Sequence, residues 1–280
     1  MKHIESLLEA HKPMSEVGLK GIYSKMPKEK LTMPVKSVAE AIKLAADGEE
    51  EFMGILNELL SKVEGAEGKG RIKDTVSIKR KLRDYGLEIA DLDDVSGKMI
   101  LVKDFKDMNT LGKILKDDDR VKKITDFTDD EDAHGYYGMN VNYKLSNGLV
   151  CELQVITRKN QIFKSICGHI FYEVIRELAP KAGKNEDVAR LVEIIDKEMT
   201  AAWTACRKAD EAGKIIPYPD IEISDEDMKI IKDNVAPATY DRWEMLVNHK
   251  AKEMNKKISD KDKKLIEAKS LEEFVKQYNN

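Results

Sequence analysis

Apolar and polar positions alternate along the chain with two different periods, and the change of period predicts a sheet flanked by helices. Ser37 followed by Glu40 is a capping-box pattern, so we expect a helix to begin there and to be interrupted at Asp47-Gly48. Apolar residues at helical spacing predict a second helix over residues 49–63. The glycines that follow are interpreted as a flexible joint: Gly65, Gly68 and Gly70.

The middle of the chain continues the alternation. Ser77 is expected to cap a helix that stops near Gly86. The next predicted elements are a strand from Gly97 to Val102, a helix from Asp104 to Lys116 and a strand from Val121 to Phe127. An acidic loop over residues 129–132 and two glycines, Gly135 and Gly138, separate these elements from a predicted hairpin.

The polar pattern of residues 139–156 fixes the register of that hairpin. A three-residue loop over 146–148 sets Asn142 opposite Glu152 and Asn140 opposite Gln154, which makes one face polar and the other apolar. A two-residue loop would mix the faces, and a slip of one residue would bury the polar set. We therefore expect Gly148 at positive φ and four polar side chains on a shared face.

Helical periods dominate the remaining residues. Thr157 is expected to cap a helix that reaches Leu178, and Gly213 to end a second long helix over residues 187–212. Three shorter helical patterns follow around residues 225–234, 239–255 and 270–278.

Composition narrows the class of protein. Apolar residues make up 41% and charged residues 36% of the chain, which is typical of a helix-rich globular protein rather than a disordered one. We see neither an apolar run of membrane-spanning length nor a signal peptide, and three scattered cysteines fit neither a disulfide framework nor a zinc site. These features predict a cytoplasmic protein with no membrane partner. A net charge of −4 disfavours a general nucleic-acid coat but allows a local basic pocket.

Such a basic concentration occurs between residues 71 and 83. Arg71 and Lys73 precede a predicted helix on which Ser77 and Lys81 lie one turn apart. Cations, a hydroxyl and free helix N–H groups can converge there on a polyphosphate. A solvated basic helix has the same spacing, so the pattern alone leaves both interpretations open.

Two carboxylates supply the complementary chemistry. Asp94 precedes one predicted strand and Glu152 lies within another. Mg²⁺ bound to a triphosphate takes few protein ligands, so two acids from different strands would suffice. Exposed surface acids are the alternative, and that alternative suits Asp91 and Asp93 better than it suits Asp94.

Five segments, in order and with suitable gaps, resemble motifs of RelA/SpoT-type (p)ppGpp synthetases. Residues 70–81 resemble the ATP-binding R-x-K-x-x-x-S-x-x-x-K, and residues 94–97 resemble the metal-binding D-x-x-G. Gly135-Tyr136 resembles the start of G-Y-R-S-x-H, residues 152–157 resemble E-x-Q-x-R-T, and residues 169–172 resemble H-x-x-Y. One motif would be weak, but the ordered set is specific and covers about residues 50–175.

The resemblance implies an α+β fold, with a nucleotidyltransferase-like mixed β-sheet flanked by helices and helical N- and C-terminal extensions. It implies transfer of the β,γ-pyrophosphate of ATP to a ribose 3′-hydroxyl, with Mg²⁺ as cofactor and ATP and an acceptor nucleotide as partners. A homo-oligomer is a further prediction. The predicted domains are an arm and helix over 1–48, the synthetase-like domain over 49–178, a packing helix over 179–216 and a charged helical tail over 217–280.

The resemblance also implies a role for each matching residue. Asp94 and Glu152 would be catalytic and would bind the metal. The ATP phosphates would be held by Arg71, Lys73, Ser77 and Lys81. Tyr136 would stack on the acceptor base. Further candidates for acceptor contact are His134, Asn140, Gln154 and Arg158, the last as a replacement for one of the arginines that the family has and this chain lacks. His169 and Tyr172 would support the site from the following helix.

The acceptor side departs from the family pattern. Arginines of the family are replaced by Met99, Tyr137 and Ile156, and its histidine by Asn140. Lys98 is adjacent to Met99, but strand alternation is expected to aim it at the opposite face. The loss of charge-assisted donors predicts weak binding of GDP or GTP.

Three functions are therefore compatible with the sequence. The first is alarmone synthesis with an atypical acceptor pocket, and the second is pyrophosphorylation of the 3′ end of tRNA. The third is a catalytically silent nucleotide-binding regulatory module. A lysine run between residues 250 and 264 would serve the second function as an RNA-binding surface, although its interspersed acids fit a solvated helix better.

Overall fold

The computed structural model of the chain describes residues 23, 25–27, 29–128, 134–214, 216–217 and 219–248. These residues pack as two units. The sheet unit holds residues 23–128 and 137–158, and the helical unit holds residues 134–136 and 159–248. The acidic loop, the lysine run and the last helical pattern lie outside the described residues, and the predicted domain boundaries stay predictions.

The sheet unit contains the mixed sheet that the sequence predicts. Its helices are α1 (Val38–Asp47), α2 (Glu49–Leu60), α3 (Thr75–Tyr85) and α4 (Phe105–Asp117). Its strands are β1 (Glu67–Ile72), β2 (Ser96–Val102), β3 (Val121–Asp126), β4 (Met139–Lys144) and β5 (Val150–Thr157). The strand order is β1-β2-β5-β4-β3, with β2 and β5 parallel and the other pairs antiparallel. The fold is α+β.

Helix starts follow the local capping chemistry, in one case from an unexpected residue. Ser37 Oγ accepts the N–H of Glu40 at the start of α1, as predicted. The prediction that Ser77 caps α3 is wrong, because Asp74 is the cap and its carboxylate accepts the Ser77 N–H at 2.8 Å. The side-chain oxygen of an N-cap residue accepts the N–H of the residue three positions later, and Asp74 stands three positions before Ser77. Gly86, at φ 62°, ends α3 as expected.

The hairpin register is confirmed residue by residue. Asn142 lies opposite Glu152, and Asn140 opposite Gln154. Gly148 adopts φ 87°, and its N–H closes the loop on Leu145 O at 2.9 Å. The apolar side of this sheet packs into one core under α2 and α4, so the polar set of β4 and β5 lies on the opposite face.

The interpretation of the glycines after α2 as a flexible joint is wrong, since residues 67–72 form the edge strand β1. A Cβ on Gly68 would lie within 3.0 Å of Leu56, and a Cβ on Gly70 would overlap the Lys98 side chain. That buried side chain crosses β1, pairs with Glu49 and lies 5.5 Å from the Phe52 ring centroid. The glycines therefore permit close packing against the edge strand.

The helical unit contains long helices, as predicted, but the first is not continuous. Its elements are α5 (Arg158–Phe163), a π-turn (Lys164–Gly168), α6 (His169–Ala182), α7 (Glu186–Glu211), α8 (Asp225–Asn234) and α9 (Pro237–Asn248). Thr157 is the last residue of β5, and α6 runs through Pro180 beyond the expected end at Leu178. Gly168 in the π-turn lies against Trp203, whose Cε2 would be 2.9 Å from an added Cβ. No helix among the described residues has the length and apolarity to cross a bilayer.

We expect Gly70→Ala to destabilise the sheet unit, because the added methyl group overlaps Lys98 and lies 2.9 Å from Gly97 O. Overpacking of this kind lowers the free energy of unfolding by about 1–3 kcal/mol. Gly54→Ala is the matched control, since a Cβ there meets no atom within 4 Å and alanine favours the α2 helix by about 0.5–1 kcal/mol. Urea unfolding of both variants measures the difference, and equal midpoints would contradict the packing role of Gly70.

Candidate active site

A buried carboxylate between two lysines is the centre of the polar face. Asp94 Oδ2 accepts a hydrogen bond from Lys81 Nζ at 2.7 Å and a second one from Lys73 Nζ. Lys73 is fixed there because its backbone N–H bonds Val95 O at 2.8 Å, next to the end of β1. Burial raises the pKa of Asp94, but the two lysines outweigh burial and the net pKa is lowered. Asp94 is therefore ionised at neutral pH.

Glu152 lies near this centre, and its pKa is shifted in the opposite direction from that of Asp94. Burial, followed by the negative charges of Asp93 and Asp94, raises its pKa to about 7. Lys81 opposes that shift, and Gln154 Nε2 donates to Glu152 Oε1 at 2.8 Å. Glu152 can therefore gain or lose a proton near neutral pH, which is the property required of a general base.

Asp93 is a further acid of this site, although the sequence suggested a surface role for it more than for Asp94. Asn142 Nδ2 lies 3.4 Å from Asp93 Oδ2, and Lys81 Nζ lies 3.9 Å from Asp93 Oδ1. Burial is the first cause that raises its pKa. The side-chain alternation used at the sequence level holds only inside β2, which starts at Ser96, so it gave no information about the two turn residues before it.

A row of side chains crosses the sheet beside these acids. Arg71 pairs with Gly97, Gly97 with Glu152, and Glu152 with Asn142, which places them in register on one face. An added Cβ on Gly97 would meet no protein atom within 4 Å. The glycine thus leaves a gap in the row, with the Arg71 cation on one side and the acids on the other.

Residues 70–176 match the model of a family described as the region found in RelA / SpoT proteins. This part of the chain is a RelA/SpoT region. No curated protein matches the chain.

Solved structures provide weaker similarities. The small alarmone synthetase 1 from Bacillus subtilis bound to its product pppGpp is 18% identical, with 61% of this chain and 91% of that chain covered and a TM-score of 0.46. The Type VI effector Tas1, solved with its immunity protein, is 21% identical over 66% of this chain and 99% of that chain, with a TM-score of 0.48. A GTP pyrophosphokinase family protein from Streptococcus pneumoniae is 21% identical over 61% and 93%, with a TM-score of 0.38. The assignment rests on the family match.

Core residues stand at two positions where this RelA/SpoT region departs from its family pattern. Tyr137 is fully buried and stacks on Phe105 at a centroid distance of 5.4 Å, and Ile156 is fully buried in β5. Lys98 points to the face opposite Glu152, as expected, and does not supply the charge absent at Met99. Buried, uncharged side chains therefore stand at two positions where the family motifs have arginine.

The predicted ATP-binding residues of the RelA/SpoT region all belong to the sheet unit. Lys73 and Lys81 bind Asp94, and Arg71 is exposed on β1. Ser77 is bound to Asp74, the N-cap residue of α3. Its hydroxyl donates to Asp74 Oδ2 at 2.7 Å, and its backbone N–H donates to the other oxygen of the same carboxylate. A phosphate bound by Ser77 would have to take this donor from Asp74.

Three predicted acceptor residues also belong to the sheet unit. Asn140 and Gln154 are paired across β4 and β5, and Asn140 Oδ1 is buried without a hydrogen-bond partner. Arg158 Nη2 is engaged by Gly65 O at 2.6 Å and Glu67 Oε1 at 2.8 Å. Glu67 therefore neutralises the guanidinium that the sequence suggested as a replacement for a lost arginine.

The other predicted acceptor residues, and the two residues predicted to support the site, lie in the helical unit. His134 Nδ1 is 2.8 Å from Asp196 Oδ1, and the residue has φ 49°. Tyr136 packs edge-on against Trp203 at a centroid distance of 5.2 Å. The rings of His169 and Tyr172 are stacked at 6.2 Å. Their roles stay predictions.

The residues of the site fit a magnesium ion. Asp94 Oδ1 is buried and has no hydrogen-bond partner, so it is available to a cation. Glu152 is destabilised as an anion by its acidic neighbours, which a cation would relieve. In the described part of the chain no three His, Cys, Asp or Glu side chains group to hold a metal alone. One or two carboxylates would leave the other positions of Mg²⁺ to phosphate oxygens and water.

Glu152 makes stability depend on pH. Its pKa rises from the ordinary 4.5 to about 7 in the folded chain. Between these values the folded state binds more protons than the unfolded state, so stability is lost as pH rises through that window. We expect a smaller fall in Tm between pH 5 and pH 8 for Glu152→Gln, which has no proton to lose, than for the unaltered chain or for Glu64→Gln at an exposed position. Thermal unfolding followed by circular dichroism tests this, and equal falls would contradict it.

Proposed function

We propose that the RelA/SpoT region is the catalytic part of an ATP-dependent pyrophosphokinase, which transfers the β,γ-pyrophosphate of ATP to the ribose 3′-hydroxyl of a nucleotide. The observation that carries the proposal is the buried Asp94 carboxylate held by Lys73 and Lys81 near a second carboxylate of raised pKa. The same residues occupy the positions that match the donor-side motifs of RelA/SpoT synthetases. Cytoplasmic location and homo-oligomerisation stay predictions.

The lysines and Asp94 can exchange partners when nucleotide binds. Without ligand, Lys73 and Lys81 neutralise Asp94. With ATP, both lysines would turn to phosphate oxygens and Asp94 would hold Mg²⁺, while Glu152 would stay off the metal and act as the base. The metal supplies neutralisation of the phosphate oxygens, and Arg71 on the far side of the Gly97 gap adds a further cation.

The transfer itself needs little covalent chemistry from the protein. The 3′-oxygen of the acceptor attacks the β-phosphorus, the bond from that phosphorus to the oxygen on the α-phosphorus breaks, and AMP leaves with the electron pair. Glu152 takes the hydroxyl proton, for which a pKa of about 7 is suitable. Burial restricts water at this carboxylate and strengthens its interactions with nearby charges.

The sheet unit presents mainly neutral amides where the acceptor would bind. Asn140 Oδ1 lacks a hydrogen-bond partner, and Gln154 and Met99 are neighbours in the same row. Amide groups suit the neutral edges of a base or a ribose, whereas they hold phosphate less tightly than arginine does. This supports an acceptor bound by its nucleoside part in the sheet unit.

We expect Lys81→Met to weaken ATP binding by about 10- to 100-fold, because a hydrogen bond to a charged group is worth about 1.5–3 kcal/mol. Lys79→Met is the matched control: it removes an exposed lysine from the same helix, α3. Calorimetric titration with ATP and Mg²⁺ measures both affinities. An equal loss in the two variants would assign the effect to general charge instead of the Asp94 cluster.

The decisive experiment follows label from γ-labelled ATP. The chain is incubated with Mg²⁺ and either guanine and adenine nucleotides or bulk tRNA, and we expect label on an acceptor. Glu152→Gln should lower the rate by about 10²–10⁴-fold, and Glu64→Gln should leave it unchanged. Label on tRNA alone would select the RNA-modifying alternative. Label on no acceptor would contradict the proposal and favour a silent regulatory module.

A further inference from the structure

A second row of side chains crosses the polar face of the sheet unit, two residues along each strand from the row that holds Glu152. We call it the second row, and the register aligns its members across β1, β2, β5 and β4 in the order Lys69, Met99, Gln154 and Asn140. Of these four residues only Lys69 is charged, and it matches none of the family motifs. The proposed chemistry has not yet used this cation.

The glycines on either side of Lys69 fix the face toward which its side chain points. An added Cβ on Gly68 would lie 2.8 Å from Leu60 Cδ1 in the sheet unit, and an added Cβ on Gly70 would overlap the buried Lys98 side chain. Both glycines therefore face the core, and strand alternation turns Lys69 to the opposite, polar face. A slip of one residue would drive the lysine into the core, so this direction is strongly specified.

Lys69 combines access to solvent with a partial loss of hydration. The residue is exposed, yet enough protein surrounds its amine that burial lowers its pKa, and the charge of Glu67 opposes that shift. Glu67 already accepts a hydrogen bond from Arg158 Nη2 at 2.8 Å, and Lys69 forms no ion pair with any described residue. A cation in this state is stabilised by an anion that approaches from solvent, because the anion compensates for the hydration that burial removes.

The position of Lys69 along β1 assigns it to the amide side of the polar face. Beyond the second row the face becomes apolar, since the next residues in register on β2 and β5 are the buried Leu101 and Ile156. In the other direction, a rise of about 3.3 Å per residue puts the Cα atoms of Lys69 and Lys73 about 13 Å apart. Lys69 is therefore displaced from the phosphate groups proposed to bind Lys73 and Lys81, toward the amides of the second row.

We propose that Lys69 binds a phosphate group of the acceptor nucleotide, whose nucleoside part lies on the amides of the second row. Lysine is a compact charge suited to phosphate, and here it stands beside Met99, where the family motif has arginine. The assignment to the acceptor rests on the proposed function. It also defines the substrate class, which is an acceptor with phosphate on the 5′ side of its ribose, either a free nucleotide or an RNA end.

Acceptor binding without transfer tests this assignment. The Glu152→Gln chain is saturated with ATP and Mg²⁺, which keeps the donor site filled, and is titrated with GDP, ADP, guanosine, adenosine and bulk tRNA. We expect Lys69→Gln in this background to weaken binding of the phosphorylated acceptor by about tenfold or more, because it removes a charge-assisted hydrogen bond. Binding of the two nucleosides should change by less than twofold. For tRNA, the slope of log affinity against log salt should fall by about one.

Two control variants separate this role from general charge. Lys113→Gln removes an exposed lysine from α4, which packs on the other face of the sheet, and should leave every affinity within twofold. Lys69→Arg keeps the charge and should retain more acceptor binding than Lys69→Gln. ATP affinity, measured with Mg²⁺ and no acceptor, should change by less than twofold in all of these variants.

Each outcome of these titrations decides a different point. Weakened binding of GDP or ADP identifies a mononucleotide as the acceptor, and a lower salt slope for tRNA identifies an RNA end. The proposal is overturned if no phosphorylated acceptor binds, if Lys69→Gln leaves their binding unchanged, or if nucleosides lose as much affinity. A loss of ATP affinity as large as the loss for the acceptor would place Lys69 in the donor site and also overturns it.

Failure of the proposed function gives a separate result. If Lys69→Gln selectively weakens the phosphorylated acceptor but the unaltered chain transfers no label, the proposed function fails alone. If the chain binds no ATP, the proposed function fails on that result, and the same titrations without ATP still test phosphate binding by Lys69.

Discussion

The ion cluster around Asp94 is the interaction on which the rest of the sheet unit depends. It joins the end of β1, the second turn of α3 and the turn before β2 at one carboxylate oxygen. Removing either lysine would leave a buried charge undercompensated, and such losses are strongly destabilising. The cluster that organises the fold is therefore also the one proposed to receive the substrate, so ligand binding must replace each contact that it breaks.

Sequence reasoning succeeded where a repeated pattern constrained many residues at once. The register of β4 and β5 followed from the alternation of Asn140, Asn142, Glu152 and Gln154 with apolar neighbours, because a slip would have buried all four. Apart from the edge strand β1, the order of helices and strands in the sheet unit followed from the change of period. The direction of Lys98, toward the face opposite Glu152, followed from the same alternation, and its pairing with Glu49 shows why that buried position tolerates a lysine.

Sequence reasoning failed where the outcome depended on distant contacts or on residues between regular elements. Gly68 and Gly70 suggested flexibility, but the leucine and lysine side chains that occupy their space come from α2 and β2. Asp93 was misjudged because no periodicity governs a turn. The π-turn could not be read from the helical spacing of residues 157–178, since its apolar residues fit an uninterrupted helix equally well. The N-cap of α3 was missed for another reason: Asp74 stands at a suitable capping position in the sequence, but the cap was assigned to Ser77.

The burial of Tyr137 restricts which side chains this position can accept. Its ring stacks on Phe105 and is fully buried, so an arginine placed there would bury a guanidinium at a cost in stability unless a charged partner came with it. Restoring the arginine of the family motif would therefore take at least two coordinated changes, whereas exposed positions such as Arg71 can vary singly.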